Sequence, residues 1–341
     1  MASDLDRPII VVGAARSGTH LLAHIVSLHR QVAYLAEPNY IWKFSNAWLG
    51  HDMIPAWRAT PYVRSYIRGT FARFCREAGK TRFCEKTPAN SIRLPFVMQV
   101  VPDAKVVHLI RDGRDVVAST RKKFYGDFAK IGRLTAADPD GTRGRWLDYK
   151  AFSLIVSRFM QRLRVGVPIR DFVFYLPFFF NTALNIAGLR SRYIWGIRLP
   201  GLKQLFRSHK DVEVAALQWR MSVESVLNYV ANHPEKDYLE VRFEDLCANP
   251  IKIAKRIYQF CELDFTTEVE EGIRVEFSKT SKIDAAKLRM TREEEELVND
   301  HIAHTLRSLG YAADRLAENA EEQSAQAPPL RDAMMTQSRL S

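Results

Sequence analysis

The chain alternates short, continuous apolar runs with segments whose apolar positions recur at helical spacing. Ile9-Ile-Val-Val12 is a β-branched run of strand length. It gives way to Gly13-Ala-Ala-Arg-Ser-Gly-Thr19, and then to Leu21, Leu22, Ile25, Val26 and Leu28 along one helical face. A second unit of the same kind starts at Lys105-Val-Val-His-Leu-Ile110, turns at Arg111-Asp-Gly-Arg-Asp115, and continues through Val116, Val117 and Thr120. Asp237–Val241 predicts a third strand, and Pro250 stands at the entrance of a helix over Ile251–Cys261. Leu297, Ile302, Leu306 and Leu309 predict a further helix over Glu293–Leu309, with Gly310 just beyond it. Strands that alternate with helices predict an α/β fold, a parallel sheet flanked by helices on both faces. A single domain is expected over residues 8–315, with any ligand at the carboxyl ends of the strands. No repeat of fixed period is evident, and residues 318–341, rich in Glu, Gln, Ala and Pro, are expected to be a disordered tail.

One segment departs from this pattern. Phe172–Leu189 is aromatic and aliphatic but holds Pro177, Asn181, Asn185 and Gly188, and Arg170 and Arg190 flank it. Its 18 residues sit at the lower limit for a membrane span, and basic residues at both ends give no orientation. A lid or interfacial surface is expected here instead, inside an acceptor-side insertion over residues 149–209, and any peripheral membrane contact would be made through 172–189. The first residues carry no apolar run long enough for a secretory leader, and Cys75, Cys84, Cys247 and Cys261 form neither a CxxC pair nor a disulfide framework. A reduced, cytoplasmic setting is the expectation. Between Arg58 and Arg133 there are 17 Lys and Arg against six Asp and Glu, so this stretch holds the whole net charge of +11. A basic field this local points to an anionic ligand, which composition alone leaves open between nucleotide, nucleic acid and membrane surface.

The turn after the first strand has the features of an anion cradle. Glycines at both ends allow tight turning, backbone N–H groups converge, and the following helix presents its positive end. Compared with the GxxxxGK[ST] loop of nucleoside triphosphatases, this P-loop-like turn has both glycines but Thr19 where the lysine belongs, and its cation, Arg16, lies inside the loop. No acidic residue at a nearby strand end offers itself to Mg²⁺, and no metal is expected. Arg111 ends the second strand and Ser119 follows about two helical turns later, a planar fork and a short hydroxyl suited to a second phosphate. A nucleotide-dependent kinase and a basic protein that binds nucleic acid or anionic lipid remain alternatives. The first lacks its loop lysine. The second is disfavoured because the basic residues sit at strand–turn–helix junctions and form no helical stripe with interleaved aromatics.

These motifs resemble those of sulfotransferases that use 3′-phosphoadenosine 5′-phosphosulfate (PAPS). Gly13-Ala-Ala-Arg-Ser-Gly-Thr-His-Leu-Leu22 is similar to the family's 5′-phosphosulfate loop, and Lys105–Ser119 to its 3′-phosphate motif. The resemblance extends to Glu85-Lys-Thr-Pro88, Trp219-Arg220 and Arg242-Phe-Glu-Asp-Leu246 with Pro250, spanning roughly residues 8 to 310. Arginine inside the loop is closer to the bacterial, Golgi-type and tyrosylprotein branches than to the cytosolic one. The resemblance implies that Gly13, Ala15, Arg16, Ser17, Gly18, Thr19 and His20 surround the 5′-phosphosulfate, and that Arg111 and Ser119 hold the 3′-phosphate. Arg16 would also stabilise charge on the bridging oxygen, and Lys86 matches a basic residue near the cofactor. Phe243 stands where the family often has tyrosine, which retains ring packing but no hydroxyl. A basic loop that closes over the nucleotide would lie near Lys282 or Lys287.

Sulfuryl transfer also needs a base for the acceptor's proton. Glu37, in Ala-Glu-Pro-Asn-Tyr40, matches the position where related branches carry a catalytic glutamate, and Tyr34, Tyr40, Ile41 and Trp42 supply an apolar or hydrogen-bonding setting. A surface Glu-Pro turn is the alternative. His20 and His24 have a metal-like i, i+4 spacing but lack a third ligand, His108 reads as core, and nothing brings His29, His51 or His209 near the loop. The expected activity is therefore sulfuryl transfer from PAPS to an acceptor hydroxyl or amine. Trp195-Gly196 and Pro200-Gly201 favour a carbohydrate or glycolipid acceptor.

Overall fold

The structure is a computed structural model that describes residues 5–121, 196–280 and 290–311. Most of the acceptor-side insertion, the apolar segment 172–189, Lys282, Lys287 and the tail 318–341 lie outside the described residues. Five strands, β1 (Ile9–Val12), β2 (Val32–Ala36), β3 (Arg82–Lys86), β4 (Lys105–Ile110) and β5 (Tyr238–Arg242), form one sheet in the order β2-β3-β1-β4-β5. Every pairing is parallel. β1 and β4 are buried at every position because helices cover both faces, which is why β1 is apolar throughout and β4 departs from that only at Lys105 and His108.

Side-chain alternation divides the core into two layers. Ile10, Val12 and Val106 face the layer containing the helices Pro61–Glu77 and Leu94–Val100. Ile9, Val11, Val107 and Leu109 face α1 (Thr19–Ser27) and the helices Pro250–Cys261 and Thr267–Thr280. A third cluster lies past the ends of β1 and β4. There Ala14, Ile110, Val116 and Val117 pack against Trp219 and Val223 of the helix Asp211–Ala231 and Ile302 of the helix Arg292–Ser308.

The parallel α/β architecture and the strand–loop–helix units agree with the sequence pattern, with boundaries one residue away at the third strand and at the last helix. Pro250 itself is the first helical residue. Thr291 caps the last helix by accepting from Glu294 N–H, while the Glu294 carboxylate accepts from Thr291 N–H, a reciprocal pair that satisfies two end donors. β2 and β3 were not evident from the pattern. Among the described residues no helix is long and apolar enough to cross a membrane.

Candidate functional site

The carboxyl ends of all five strands carry chemistry. β1 runs into the Gly13–Gly18 loop, β2 into Glu37, β3 ends on Lys86, β4 delivers Arg111, and β5 delivers Phe243. In an open parallel sheet this edge is where ligands bind, because loops and helix N-termini converge there.

The loop needs its glycines at both ends. Gly13 has φ 150°, and a Cβ there would lie 2.5 Å from the Leu109 carbonyl oxygen. Gly18 has φ 90°, and a Cβ would lie 2.4 Å from ring carbons of Phe243. Gly13 N–H donates to buried Ser91 Oγ at 2.9 Å, which fixes the loop's entrance. Gly18 provides no side-chain cap for α1, so the first N–H groups of that helix face the loop, available to an anion. Ser17 is buried and its Oγ has no hydrogen-bond partner among the described residues. A buried hydroxyl of this kind costs free energy unless something bonds it, and here it borders the cradle.

Arg16 adopts φ 73°, a conformation unfavourable for a residue with a side chain. Its Nε donates to Ser119 Oγ at 3.1 Å. Arg111 Nη1 lies 3.4 Å from the Arg16 carbonyl oxygen, its Nη2 is 3.5 Å from Asp115, and its buried Nε has no partner among the described residues. The Arg111 guanidinium stands 4.6 Å from the centre of the Phe243 ring, a cation–π distance. Trp219 Nε1 donates to the Arg111 carbonyl at 3.1 Å, holding the end of β4 against the helix Asp211–Ala231. The two anion sites expected from the sequence are thus contiguous, joined through Arg16 and Ser119 and floored by Phe243. Ring packing at Phe243 is retained without a hydroxyl.

Glu37 and Lys86 meet because β2 and β3 are in parallel register, with Ala36 opposite Lys86. Glu37 N–H extends the ladder by donating to the Lys86 carbonyl at 3.0 Å. Lys86 Nζ then donates to Glu37 Oε1 at 2.5 Å, and His20 Nε2 is 3.1 Å from the same oxygen. Lys86 is 1% exposed and the Glu37 side chain 50%, so the cation comes from the interior and the carboxylate faces the opening. The hydrogen bond to His20, followed by the charge and hydrogen bond of Lys86, outweighs partial burial and holds the Glu37 carboxyl down at about 2. Burial lowers the Lys86 ammonium from its ordinary value, against the pull of Glu37. Glu37 also has φ 49°, a second left-handed side-chain-bearing residue on this edge.

Beneath the pair lies a buried polar network that sequence reasoning missed. Glu85 accepts from Thr87 Oγ1 at 2.8 Å and from Asn90 Nδ2 at 2.5 Å. Arg93 donates to Asn90 Oδ1 at 2.8 Å and to Asn39 Oδ1 at 2.7 Å. Burial pushes the Glu85 carboxyl up to about 7. The network ties the segment after β3 to the segment that carries Glu37. The one available hint was a Glu-Lys-Thr-Pro run followed by Asn90 and Arg93, polar residues where an interior is expected. His108 is fully buried in β4, with Nδ1 2.9 Å from Tyr238 Oη, and burial lowers it to about 3, as befits a core histidine.

With this geometry in place, the class is defined. Residues 8–161 and 191–267 match the model of the Sulfotransferase family. These stretches cover well over half of the chain, and the chain belongs to the sulfotransferase family. A curated Caenorhabditis briggsae protein named "Putative protein-tyrosine sulfotransferase" is 29% identical over 126 residues, which are 35% of this chain and 44% of that protein. The match therefore spans less than half the length of that relative. Among solved structures, a sulfotransferase domain from the curacin biosynthetic pathway has a TM-score of 0.47 at 12% identity, covering 90% of this chain and 99% of that one. The mouse sulfotransferase SULT7A1, in complex with PAP, has a TM-score of 0.43 at 12% identity, covering 96% of this chain and 92% of that one.

Proposed function

We propose that this chain transfers a sulfuryl group from PAPS to an acceptor hydroxyl or amine, with a carbohydrate or glycolipid hydroxyl as the acceptor. The observation that carries the donor assignment is the contiguity of two anion sites, the Gly13–Thr19 loop and the Arg111–Ser119 pair, bridged by the Arg16–Ser119 contact of 3.1 Å. Unpartnered Ser17 Oγ and Arg111 Nε at this edge fit a ligand with two separated anionic groups. Gly13, Ala15, Arg16, Ser17, Gly18, Thr19 and His20 would surround the 5′-phosphosulfate, Arg111 and Ser119 the 3′-phosphate, and Phe243 would pack against the nucleoside. When bound, PAPS supplies an activated sulfuryl group, so the protein's part is alignment and charge neutralisation.

Lys86, at the end of β3, and Arg16, in the loop after β1, provide that charge. Glu37 Oε1 accepts the acceptor's proton. A carboxylate held at about 2 is a weak base, and it strengthens once an anionic ligand draws away both the His20 ring, whose hydrogen bond is the largest cause, and the Lys86 ammonium. The pair therefore keeps Lys86 in place before the donor arrives and releases Glu37 for base chemistry afterwards.

The acceptor assignment rests on aromatic surface. Trp48 and Trp57, 60% and 72% exposed, flank Arg58 at 4.6 and 4.5 Å on the segment after Glu37, and exposed indole faces suit sugar rings. A tyrosyl peptide acceptor is the second reading, favoured by the name of the curated relative.

Metal-free calorimetry with 3′-phosphoadenosine 5′-phosphate, ADP and ATP tests the donor assignment. The 3′-phosphorylated nucleotide is expected to bind at least about tenfold more tightly than ADP, with the preference lost in Arg111→Ala. Equal affinities, or ATP binding that requires Mg²⁺, would replace this reading with a nucleotide kinase. A parallel acceptor screen of oligosaccharides, glycolipids and tyrosyl peptides decides the second question, and sulfation of tyrosyl peptides alone would overturn the carbohydrate assignment.

A further inference from the structure

His209, Glu213 and His301 form a cluster that the sulfuryl-transfer site does not use. One ligand atom from each lies within 4.8 Å of the other two. The donors come from three places, namely the residue that ends the helix Leu202–Ser208, the first turn of the helix Asp211–Ala231, and the middle of the helix Arg292–Ser308. All three are half-buried. The Glu213 carboxylate is divided between two tasks. One oxygen accepts from Lys210 N–H at 2.7 Å, and the other is 3.0 Å from His301 Nε2. Ser208 Oγ lies 2.8 Å from His209 Nδ1 and orients that ring, the kind of outer contact that steadies a histidine ligand.

We propose that these residues bind a divalent transition-metal ion of the zinc class. Two imidazoles and a carboxylate are a borderline-soft N₂O set that suits zinc and leaves one position for water. With ligand bonds of about 2.0–2.1 Å, tetrahedral geometry sets neighbouring ligand atoms about 3.3 Å apart. The Glu213–His301 edge, at 3.0 Å, is already near that spacing. His209, whose ligand atom lies within 4.8 Å of the other two, has to close the remaining distance by side-chain movement. A bound ion would staple the last described helix to the start of Asp211–Ala231, the helix whose Trp219 holds the Arg111 carbonyl. An ion pair between Glu213 and His301 alone is the competing account. It explains the 3.0 Å contact but assigns nothing to His209.

Untagged full-length protein, stripped with a chelator, is titrated with Zn²⁺ by calorimetry and its melting temperature is followed. The expected result is one saturable site and a rise in melting temperature. Affinity should fall at least about tenfold in His209→Ala, in His301→Ala and in Glu213→Gln, and should be unchanged in His24→Ala. Mg²⁺ should give neither signal, since it prefers an all-oxygen octahedron. His209→Ala is the decisive variant, because it leaves the Glu213–His301 contact intact and does not depend on the packed helix tolerating a change at His301. No saturable zinc site in the wild type, or undiminished binding in His209→Ala, would overturn the proposal in favour of a plain ion pair.

Discussion

The Glu37 carboxyl should titrate far below an ordinary glutamate before any ligand binds, and the cause should be traceable to two neighbours. Its value of about 2 stands against an ordinary 4.5, with the His20 hydrogen bond as the largest cause and Lys86 next. Removing either neighbour, by His20→Ala or by Lys86→Met, should therefore bring the carboxyl part of the way back toward 4.5. The assay is carboxyl-carbon NMR of glutamate-labelled protein over about pH 3 to 7, with the Glu37 resonance identified by its loss in Glu37→Gln. In the wild type that resonance should stay in its ionised position down to the lower end of the range. In His20→Ala it should show a midpoint inside it. The sign follows from linkage. A carboxyl depressed in the folded state adds stability above pH 4.5, and loses it as pH falls from there toward 2. The half-exposed position of Glu37 lets solvent screen much of this, so the titration shift, and not the melting temperature, is the discriminating signal. A wild-type midpoint near 4.5, or a resonance unmoved by His20→Ala, would refute the idea that this carboxylate is held by its neighbours.

Three further outcomes follow from the same geometry. Gly18→Ala places a methyl 2.4 Å from the Phe243 ring at φ 90°, a backbone conformation that costs a side-chain-bearing residue about 1–2 kcal/mol, so calorimetry should show at least about a tenfold loss of nucleotide affinity. Adding Phe243→Ala to that variant should relieve the clash but not the backbone cost, leaving a loss that a double-mutant cycle can separate. Glu85 behaves in the opposite sense to Glu37. Burial raises it to about 7, so the stability of the wild type relative to Glu85→Gln should be greatest below pH 4.5 and decline as pH rises from there to about 7, by as much as about 3 kcal/mol in urea denaturation. Ser91→Ala removes the acceptor of Gly13 N–H at the loop's entrance and should cost about 1–3 kcal/mol of stability, measured by thermal unfolding with bound nucleotide absent.

The parts of this protein legible in the sequence were those whose cause is local. β1 and β4 announced themselves because strands covered on both faces tend toward β-branched and aliphatic residues at most positions, and the Gly13–Gly18 loop because a cradle of backbone N–H groups demands glycine at both ends. Arg111 and Ser119 were legible because a strand end and the next two helical turns keep them on one edge by chain geometry alone. β3 was hidden because its charges are not on a surface. Arg82 donates to the Arg7 and Cys261 carbonyls, Glu85 accepts from Thr87 and Asn90, and Lys86 pairs with Glu37, so a buried strand carries a polar sequence.

Glu37 could be matched by resemblance, but its chemistry could not be read. Its partner lies 49 residues away and meets it only because β2 and β3 pair with Ala36 opposite Lys86. The same holds for His301, 88 residues from Glu213 and brought to it by the packing of two helices. Sequence by itself determined which segments could be central strands and which loop could cradle an anion, since backbone geometry and burial act residue by residue. Only the tertiary structure decided which charges face one another, because electrostatic partnership depends on distance in space, and strand order and register set that distance.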